Sequence, residues 1–359
     1  MIMMFAAVAA GCGNAQNKQE SAVKTVGEEV FSNIGLGKGV KDVRLIDVRT
    51  PKEYAEGHIA GAENIDVKAA DFAERIKGIS GTVAVYCRSG KRSLVAAQQL
   101  AARGCTVYNL DGGILAWQKA GRATTTVETD VFTTKSGKLV KIHALMHSSI
   151  RIEYDGREIE IDPCTNLNGR TVDYAAFPKA FLILVTHEHF DHYDTAAINL
   201  LSTHKTFLMM NSRCVKLYGD GTAMKNGKVL QLTDDVLNTG FECIPIDISV
   251  EAVPAYNTTK GRQKFHPKGN GNGYILTLGG LRIYIAGDTE DIPEMADLKD
   301  IDIAFLPCNQ PYTMTPEQLV RAAKMVNPKV LFPYHYGETD MSGIATQLPG
   351  IDVRIRHYE

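Results

Sequence analysis

Residues 186–192 read Thr186-His187-Glu188-His189-Phe190-Asp191-His192. They follow the apolar run Phe181-Leu182-Ile183-Leu184-Val185, short and β-branched enough to predict a buried strand. Asp194-Thr195 then has the form of a helix N-cap and first helical residue. The histidines and the aspartate are therefore expected on a strand-to-helix loop at the end of a sheet, where α/β proteins place their chemistry. Neutral imidazole and carboxylate suit zinc, iron or manganese. His187 and His189 alternate, so on an extended backbone both point the same way. Asp191 and His192 come after the turn and can face a second ion. Two ions about 3.5–4 Å apart would share a water. A polar loop with scattered histidines is the plainer alternative, and the density of ligand-type residues after one strand argues against it.

This H-x-H-x-D-H spacing resembles the metallo-β-lactamase superfamily, and the resemblance runs from about Lys138 to the C-terminus. It implies an αββα sandwich, two packed sheets with helices outside. Asp288, in Gly287-Asp288-Thr289 after the strand Leu281-Arg282-Ile283-Tyr284-Ile285-Ala286, resembles the family's bridging carboxylate. His335, after Lys329-Val330-Leu331-Phe332-Pro333-Tyr334, resembles its last histidine ligand. Relatives carry a further histidine between the 187–192 cluster and the bridging aspartate, near Val253-Pro254-Ala255-Tyr256-Asn257, where this chain has Asn257. His266, in Phe265-His266-Pro267-Lys268-Gly269, is the candidate replacement; otherwise it is a substrate-loop residue. His147-Ser148-Ser149 resembles a segment of the lactonase-like and phospholipase-D-like branches, so His147 is either near the substrate or a structural strand histidine. The resemblance implies two divalent metal ions, zinc first, with manganese or a single iron as alternatives. In a hydrolytic reaction Asp191 can serve as a ligand, as a proton acceptor or as both, and the sequence leaves that choice open.

A second stretch carries chemistry: Cys87-Arg88-Ser89-Gly90-Lys91-Arg92-Ser93, between the strand Thr82-Val83-Ala84-Val85-Tyr86 and a helix from Leu94. At such a junction backbone N–H groups and the helix N-terminus face the thiol. Arg88, Lys91 and Arg92 add positive charge, and all of these favour thiolate. The alternative is an inert, buried strand-end cysteine. The stretch, with Leu45-Ile46-Asp47-Val48-Arg49, Glu53-Tyr54-Ala55-Glu56-Gly57-His58-Ile59, Asp111-Gly112-Gly113 and Trp117 in order, resembles the rhodanese sulfurtransferases over roughly Gly27–Gly121. The resemblance implies a Cys87 persulfide, a sulfane-sulfur donor and a thiol acceptor, with Asp47 and Arg49 bracing the loop. The Cys87–Arg92 loop has the size of the sulfur-handling members, whereas the related phosphatases carry a longer one.

The chain has 359 residues, enough for about two domains. The expected organisation is a lipoprotein-type signal and polar tether (1–20), a rhodanese-like parallel α/β domain (21–122), a linker (123–137) and a metallo-β-lactamase-like domain (138–359). The net charge of −2 leaves no nucleic-acid footprint. Seven cysteines without a C-x-x-C pair argue against a disulfide framework or a zinc ribbon. Ala9-Ala10-Gly11-Cys12 resembles a bacterial lipoprotein cleavage site, although it lacks a basic n-region and follows a short apolar core. A lipidated Cys12 would attach the protein to the periplasmic side of a membrane; otherwise the expectation is cytoplasmic. The functional expectation is a metal-dependent hydrolase of lactones, esters or phosphodiesters joined to a sulfur-transfer domain. An iron-dependent persulfide dioxygenase and a non-catalytic, lipid-anchored sulfide sensor are the alternatives.

Overall fold

The computed structural model describes residues 22–36, 40, 42–235 and 243–358. The signal reading at 1–20, with Cys12, and the turn residues Gly37, Lys38 and Gly39 lie outside the described residues.

The first domain alternates β1 (Val23–Val26), α1 (Glu28–Gly35), β2 (Arg44–Asp47), α2 (Pro51–Ala55), β3 (Glu63–Asn64), α3 (Phe72–Arg75), β4 (Thr82–Tyr86), α4 (Lys91–Ala101), β5 (Thr106–Leu110) and α5 (Gly113–Lys119). Its strands form one parallel sheet in the order β1-β5-β4-β2-β3. Residues 83–86 of β4 are fully buried, as expected of a parallel strand covered on both faces. Thr50 caps α2 through the expected capping box with Glu53. The sequence predicts a helix or its approach over Ser21–Phe31, but Val23–Val26 forms an edge strand and the helix begins at Glu28. The apolar residues Val23 and Val26 pair with Val107 and Leu110 of β5, so sheet pairing rather than helical periodicity decides this segment.

The second domain holds two seven-stranded sheets. The first contains β6 (Thr129–Thr133), β7 (Leu139–Met146), β8 (Ser149–Tyr154), β9 (Arg157–Ile161), β12 (Leu182–Val185), β13 (Phe207–Met210) and β14 (Thr222–Ala223). A small hairpin, β10 (Asn166–Leu167) and β11 (Arg170–Thr171), precedes β12. The second contains β15 (Val229–Asp235), β16 (Cys243–Ala255), β17 (Gly271–Leu278), β18 (Leu281–Ile285), β19 (Ile303–Pro307), β20 (Val330–Tyr334) and β21 (Asp352–Val353). Residues from both, among them Ile152, Ile159, Leu184, Val250, Leu276 and Phe332, form one core between the sheets. Helices α6 (Thr195–Leu201) and α7 (Ser212–Tyr218) contribute Ala197, Ile198, Leu201 and Cys214 to a second cluster with Ile183 and Val185. Helices α8 (Pro316–Val326) and α9 (Ile344–Gln347) do the same with Tyr284, Ala304 and Leu331 on the other sheet. The result is the expected αββα sandwich.

Part of the predicted linker is structural. Thr129–Thr133 pairs antiparallel with β7, so this end of 123–137 belongs to the sandwich. The two domains are tied along this segment. His58 stacks on Tyr54 with ring centres 3.6 Å apart, and its ring nitrogens meet the carbonyls of Tyr54 and Val127 at 2.9 Å each. Thr129 N–H donates to the Tyr54 hydroxyl at 3.2 Å. Asp130 is buried and accepts from Arg354 at 2.8 Å and from Arg356 at 2.7 and 2.8 Å. Removing one partner of such a network leaves buried charge uncompensated. Asp130→Ala is expected to lower stability by about 3 kcal/mol, the low end for a buried pair because both arginines keep some solvent contact, as read by urea unfolding.

Candidate metal centre and cysteine loop

Apart from His266, which lies in the loop between β16 and β17, every candidate ligand of the second domain sits where a strand ends. Strand β12 runs out at Val185, and the 187–192 loop follows before Asp194 caps α6 by accepting from the N–H groups of Ala196 and Ala197. Asp288 follows β18 and His335 follows β20. His147 occupies the turn between β7 and β8. Asp162, which ends β9, His147 and His335 all have positive φ, at 45°, 54° and 48°. Non-glycine residues rarely adopt this region, and the strain it carries concentrates at functional sites.

Two groups of ligand-type residues result: His147, Asp191, His192 and His335, and His187, His189, His266 and Asp288. Within each, one donor atom per residue lies within 4.8 Å of all the others. Asp288 faces both groups, one oxygen to each. Its Oδ1 lies 3.2 Å from His192 Nε2 and 3.4 Å from His335 Nε2; its Oδ2 lies 3.1 Å from His266 Nε2 and 3.8 Å from His187 Nε2. Asp191 Oδ2 lies 3.2 Å from His147 Nε2 and 3.4 Å from His335 Nε2. Burial raises both carboxyl groups, but the surrounding imidazoles outweigh it and hold Asp191 and Asp288 well below the usual carboxylate range. Burial, with the charge of His192, pushes His187 down toward the neutral form that binds metal.

The donor set fits metal ions. His187 Nε2 and His266 Nε2 lie 2.9 and 3.2 Å from the same atom, His189 Nδ1, so three ring nitrogens converge on one point. His192 Nε2, Asp288 Oδ1 and both ring nitrogens of His335 are buried with no hydrogen-bond partner. Buried polar atoms are normally satisfied, and a group of them aimed at a common point calls for an ion. The outward nitrogens are already oriented. His192 Nδ1 meets Asp162 Oδ2 at 2.8 Å, and His187 Nδ1 meets Thr186 Oγ1 at 3.0 Å. Asp162 also accepts from Thr186 N–H and Oγ1–H, each at 2.7 Å. A carboxylate behind a ligating histidine fixes the tautomer and raises its basicity.

The structure decides between the two readings of His266. Asn257 does not replace a histidine; its amide donates to the Tyr312 carbonyl at 2.7 Å, and its N–H donates to the His266 carbonyl at 2.9 Å. His266 Nδ1 meets the same Tyr312 carbonyl at 3.1 Å. Asn257 thus ties down the loop that brings His266 into the group from a later point in the chain. Glu290, fully buried, holds the start of this loop by accepting from the N–H groups of Thr258 and Thr259. His147, left open by the sequence, joins the Asp191 group. Asp162 positions His192, and its one signal in the sequence is the Asp162-Pro163 pair that follows β9.

Residues 141–335 match the β-lactamase superfamily domain. The chain belongs to the β-lactamase superfamily. Residues 35–120 match the rhodanese-like domain. Among superfamily relatives, a UPF0173 metal-dependent hydrolase of Thermococcus kodakarensis is 30% identical over 205 residues, covering 55% of this chain and 85% of the relative. A protein described as a metal-dependent hydrolase from Parabacteroides distasonis is 49% identical in sequence, with a TM-score of 0.58 over 65% of this chain and 100% of that one. A metallo hydrolase of Ignicoccus hospitalis is 27% identical, with a TM-score of 0.50 over 60% of this chain and 94% of that one. The second domain is a superfamily metal-dependent hydrolase.

In the first domain, Cys87 leaves β4 and is 1% exposed. Gly90, at φ 88°, turns the loop into α4. The Asp111-Gly112-Gly113 segment lies beneath it: Ile114 N–H donates to the Cys87 carbonyl at 2.9 Å. Gly113 has φ 60°, and a Cβ there would overlap that carbonyl, so only glycine fits. Burial pushes the thiol up, but the Ser93 hydroxyl, at 3.4 Å from Sγ, and the N–H groups of Ser93, Ser89 and Gly90 bring it below its ordinary value. This corrects the emphasis on cations. Of these, Arg92 interacts with the thiolate while being held by Glu53 at 2.7 and 2.8 Å, and the hydrogen bonds of the loop act on the thiol more strongly than the cations do. Asp47 and Arg49 pair with each other, and Arg49 donates to the Gly57 carbonyl at 2.7 Å rather than to the cysteine loop.

The thiolate is the reactive form, so alkylation speeds up as pH rises through the thiol pKa. For Cys87 the midpoint of iodoacetamide reactivity should fall below the free-cysteine value of about 8.5. Ser93→Ala, which removes a donor to the thiolate, should move it upward.

Proposed function

We propose that the second domain hydrolyses an ester, lactone or phosphodiester at a two-metal centre, and that the first transfers sulfane sulfur through a Cys87 persulfide. The observation that carries the hydrolytic reading is the Asp288 carboxylate, with one oxygen turned to each histidine group. His187, His189 and His266 would hold one ion and His147, Asp191, His192 and His335 the other, with Asp288 between them. Bound there, divalent ions supply Lewis acidity and a water acidic enough to attack near neutral pH. Asp191 Oδ2 faces the nitrogens of both His147 and His335, and so is the atom placed to accept the proton of an attacking water. Asp162 and Thr186 keep His192 and His187 in fixed orientation throughout. Two complete donor groups favour two zinc or manganese ions over the single iron of a persulfide dioxygenase. The His147-Ser148-Ser149 segment supports the lactonase-like and phospholipase-D-like branches.

At the cysteine loop, the Cys87 thiolate attacks the outer sulfur of a sulfane donor. A new S–S bond forms as the donor's bond breaks, and the leaving group departs with the bonding pair. A thiol acceptor then takes the outer sulfur and restores the thiolate, without net oxidation. The Ser93 hydroxyl and the loop N–H groups stabilise sulfur anions on this side.

Elemental analysis of the purified protein should find about two zinc or manganese ions per chain. Asp288→Ala should lose most of that metal, and with it hydrolysis of nitrophenyl esters or phosphodiesters. One iron per chain, with oxygen consumed on glutathione persulfide, would replace this reading with the dioxygenase. Cys87→Ser should abolish thiosulfate:cyanide sulfurtransferase activity and leave the metal content unchanged; retained sulfur transfer would sink the assignment of the first domain.

A further inference from the structure

The metal centre opens into a cavity of about 810 Å³ whose walls are not uniform. Phe190 lines it and is 76% exposed, although it sits between two ligand-type residues, His189 and Asp191. Its ring thus offers an apolar surface inside a cavity that also holds the polar cluster, the combination that ligand pockets use. Phe265 and Tyr312 form a second wall, with ring centres 5.1 Å apart and planes at 74°. Leu167 and Pro267 extend the apolar lining.

Cations complete the lining. Lys264 carries its ammonium 5.0 Å from the centre of the Phe265 ring, and among the described residues no carboxylate pairs with it. Arg213 lends one nitrogen to Glu188 at 3.1 Å while its side chain stays 63% exposed. Glu188 is further occupied by Asn270, at 3.0 and 3.1 Å, so its charge is spread over several donors rather than left to the cavity. Outside the ligand groups, then, positive charge is in surplus beside the aromatic walls.

We propose that the substrate is a small organic anion with an aromatic or long apolar arm, the arm lying between Phe190 and the Phe265–Tyr312 pair and the anionic group meeting Lys264 beside the Phe265 ring. A carboxylate, sulfate or phosphate placed away from the scissile bond satisfies this chemistry. The class rests on the hydrolytic reading, since it places a cleavable bond beside the two ligand groups. It excludes neutral lipid-like esters as preferred substrates. Phe190 and Lys264 are specificity-determining residues in this account, and neither holds a reacting atom.

The test is calorimetric titration of the metal-loaded full-length protein with naphthalene-2-sulfonate and with neutral methyl 2-naphthyl sulfone. A sulfonate is a poor metal ligand, and the Lys264 variant separates the charge of the wall from the field of the ions. The sulfonate should bind about tenfold more tightly or better. Phe190→Ala should weaken both probes, and Lys264→Glu the sulfonate alone, each by about tenfold. Equal binding of the two probes, no binding of either, or unchanged affinities in both variants would overturn the proposal. Should the probes behave as expected while the wild-type protein cleaves no ester, the hydrolytic reading fails and the binding class stands.

Discussion

A buried carboxylate shared between two sets of imidazoles is the constraint on which the second domain depends. Asp288 is almost fully enclosed, and neither of its oxygens can be left to water. Each must instead meet its own group of nitrogens, which fixes where the ends of β12, β18 and β20 lie relative to one another. Cations at this point would compensate carboxylates that burial alone would drive toward neutrality. The sandwich of two sheets provides the rigidity: its core is continuous from one sheet to the other, so strand ends cannot drift independently.

Around that constraint the chain accepts local cost. His147, Asp162 and His335 adopt positive φ, and Glu290 and Asn257 spend their polar groups pinning one loop. Asp162, Glu290 and Asn257 are not donors themselves, yet each determines where a donor atom sits. The first domain uses the same logic with other chemistry. Its thiol is stabilised as an anion by a hydroxyl and by backbone N–H groups presented at a strand-to-helix turn, and Gly113 is present because the turn and the segment beneath it touch. The domains meet through β6 and the segment before it, where Arg44, Tyr54 and His58 link the parallel sheet to the edge of the sandwich.

Much of the architecture is legible along the chain because it follows from local rules. The apolar run before His187, the Thr50-Glu53 and Thr315-Gln318 capping boxes, and Asn327 in left-handed conformation after α8 all act within one or two turns of chain. Errors arose where a partner distant in sequence decides. Val23–Val26 is a strand because β5 is available beside it, and for Thr129–Thr133, readable as a linker or a first strand, β7 decides for the strand. Asp47 and Arg49 carry suitable charge for bracing a loop, but their geometry directs them to each other and to Gly57.

The sequence by itself determined the two-domain order, the strand-to-loop-to-helix placement of His187–His192 and of Cys87, and the identity of most donors, since residue type and spacing set chemistry and local backbone form. Only the tertiary structure decided that His266 rather than Asn257 enters the ligand group, that His147 joins Asp191, and that the thiol answers to Ser93 more than to its neighbouring cations. Those outcomes depend on distances between segments 40 or more residues apart, as between His147 and Asp191 at |i−j| of 44, or on the direction in which a buried side chain points. No spacing along a chain encodes either until the sheets have packed.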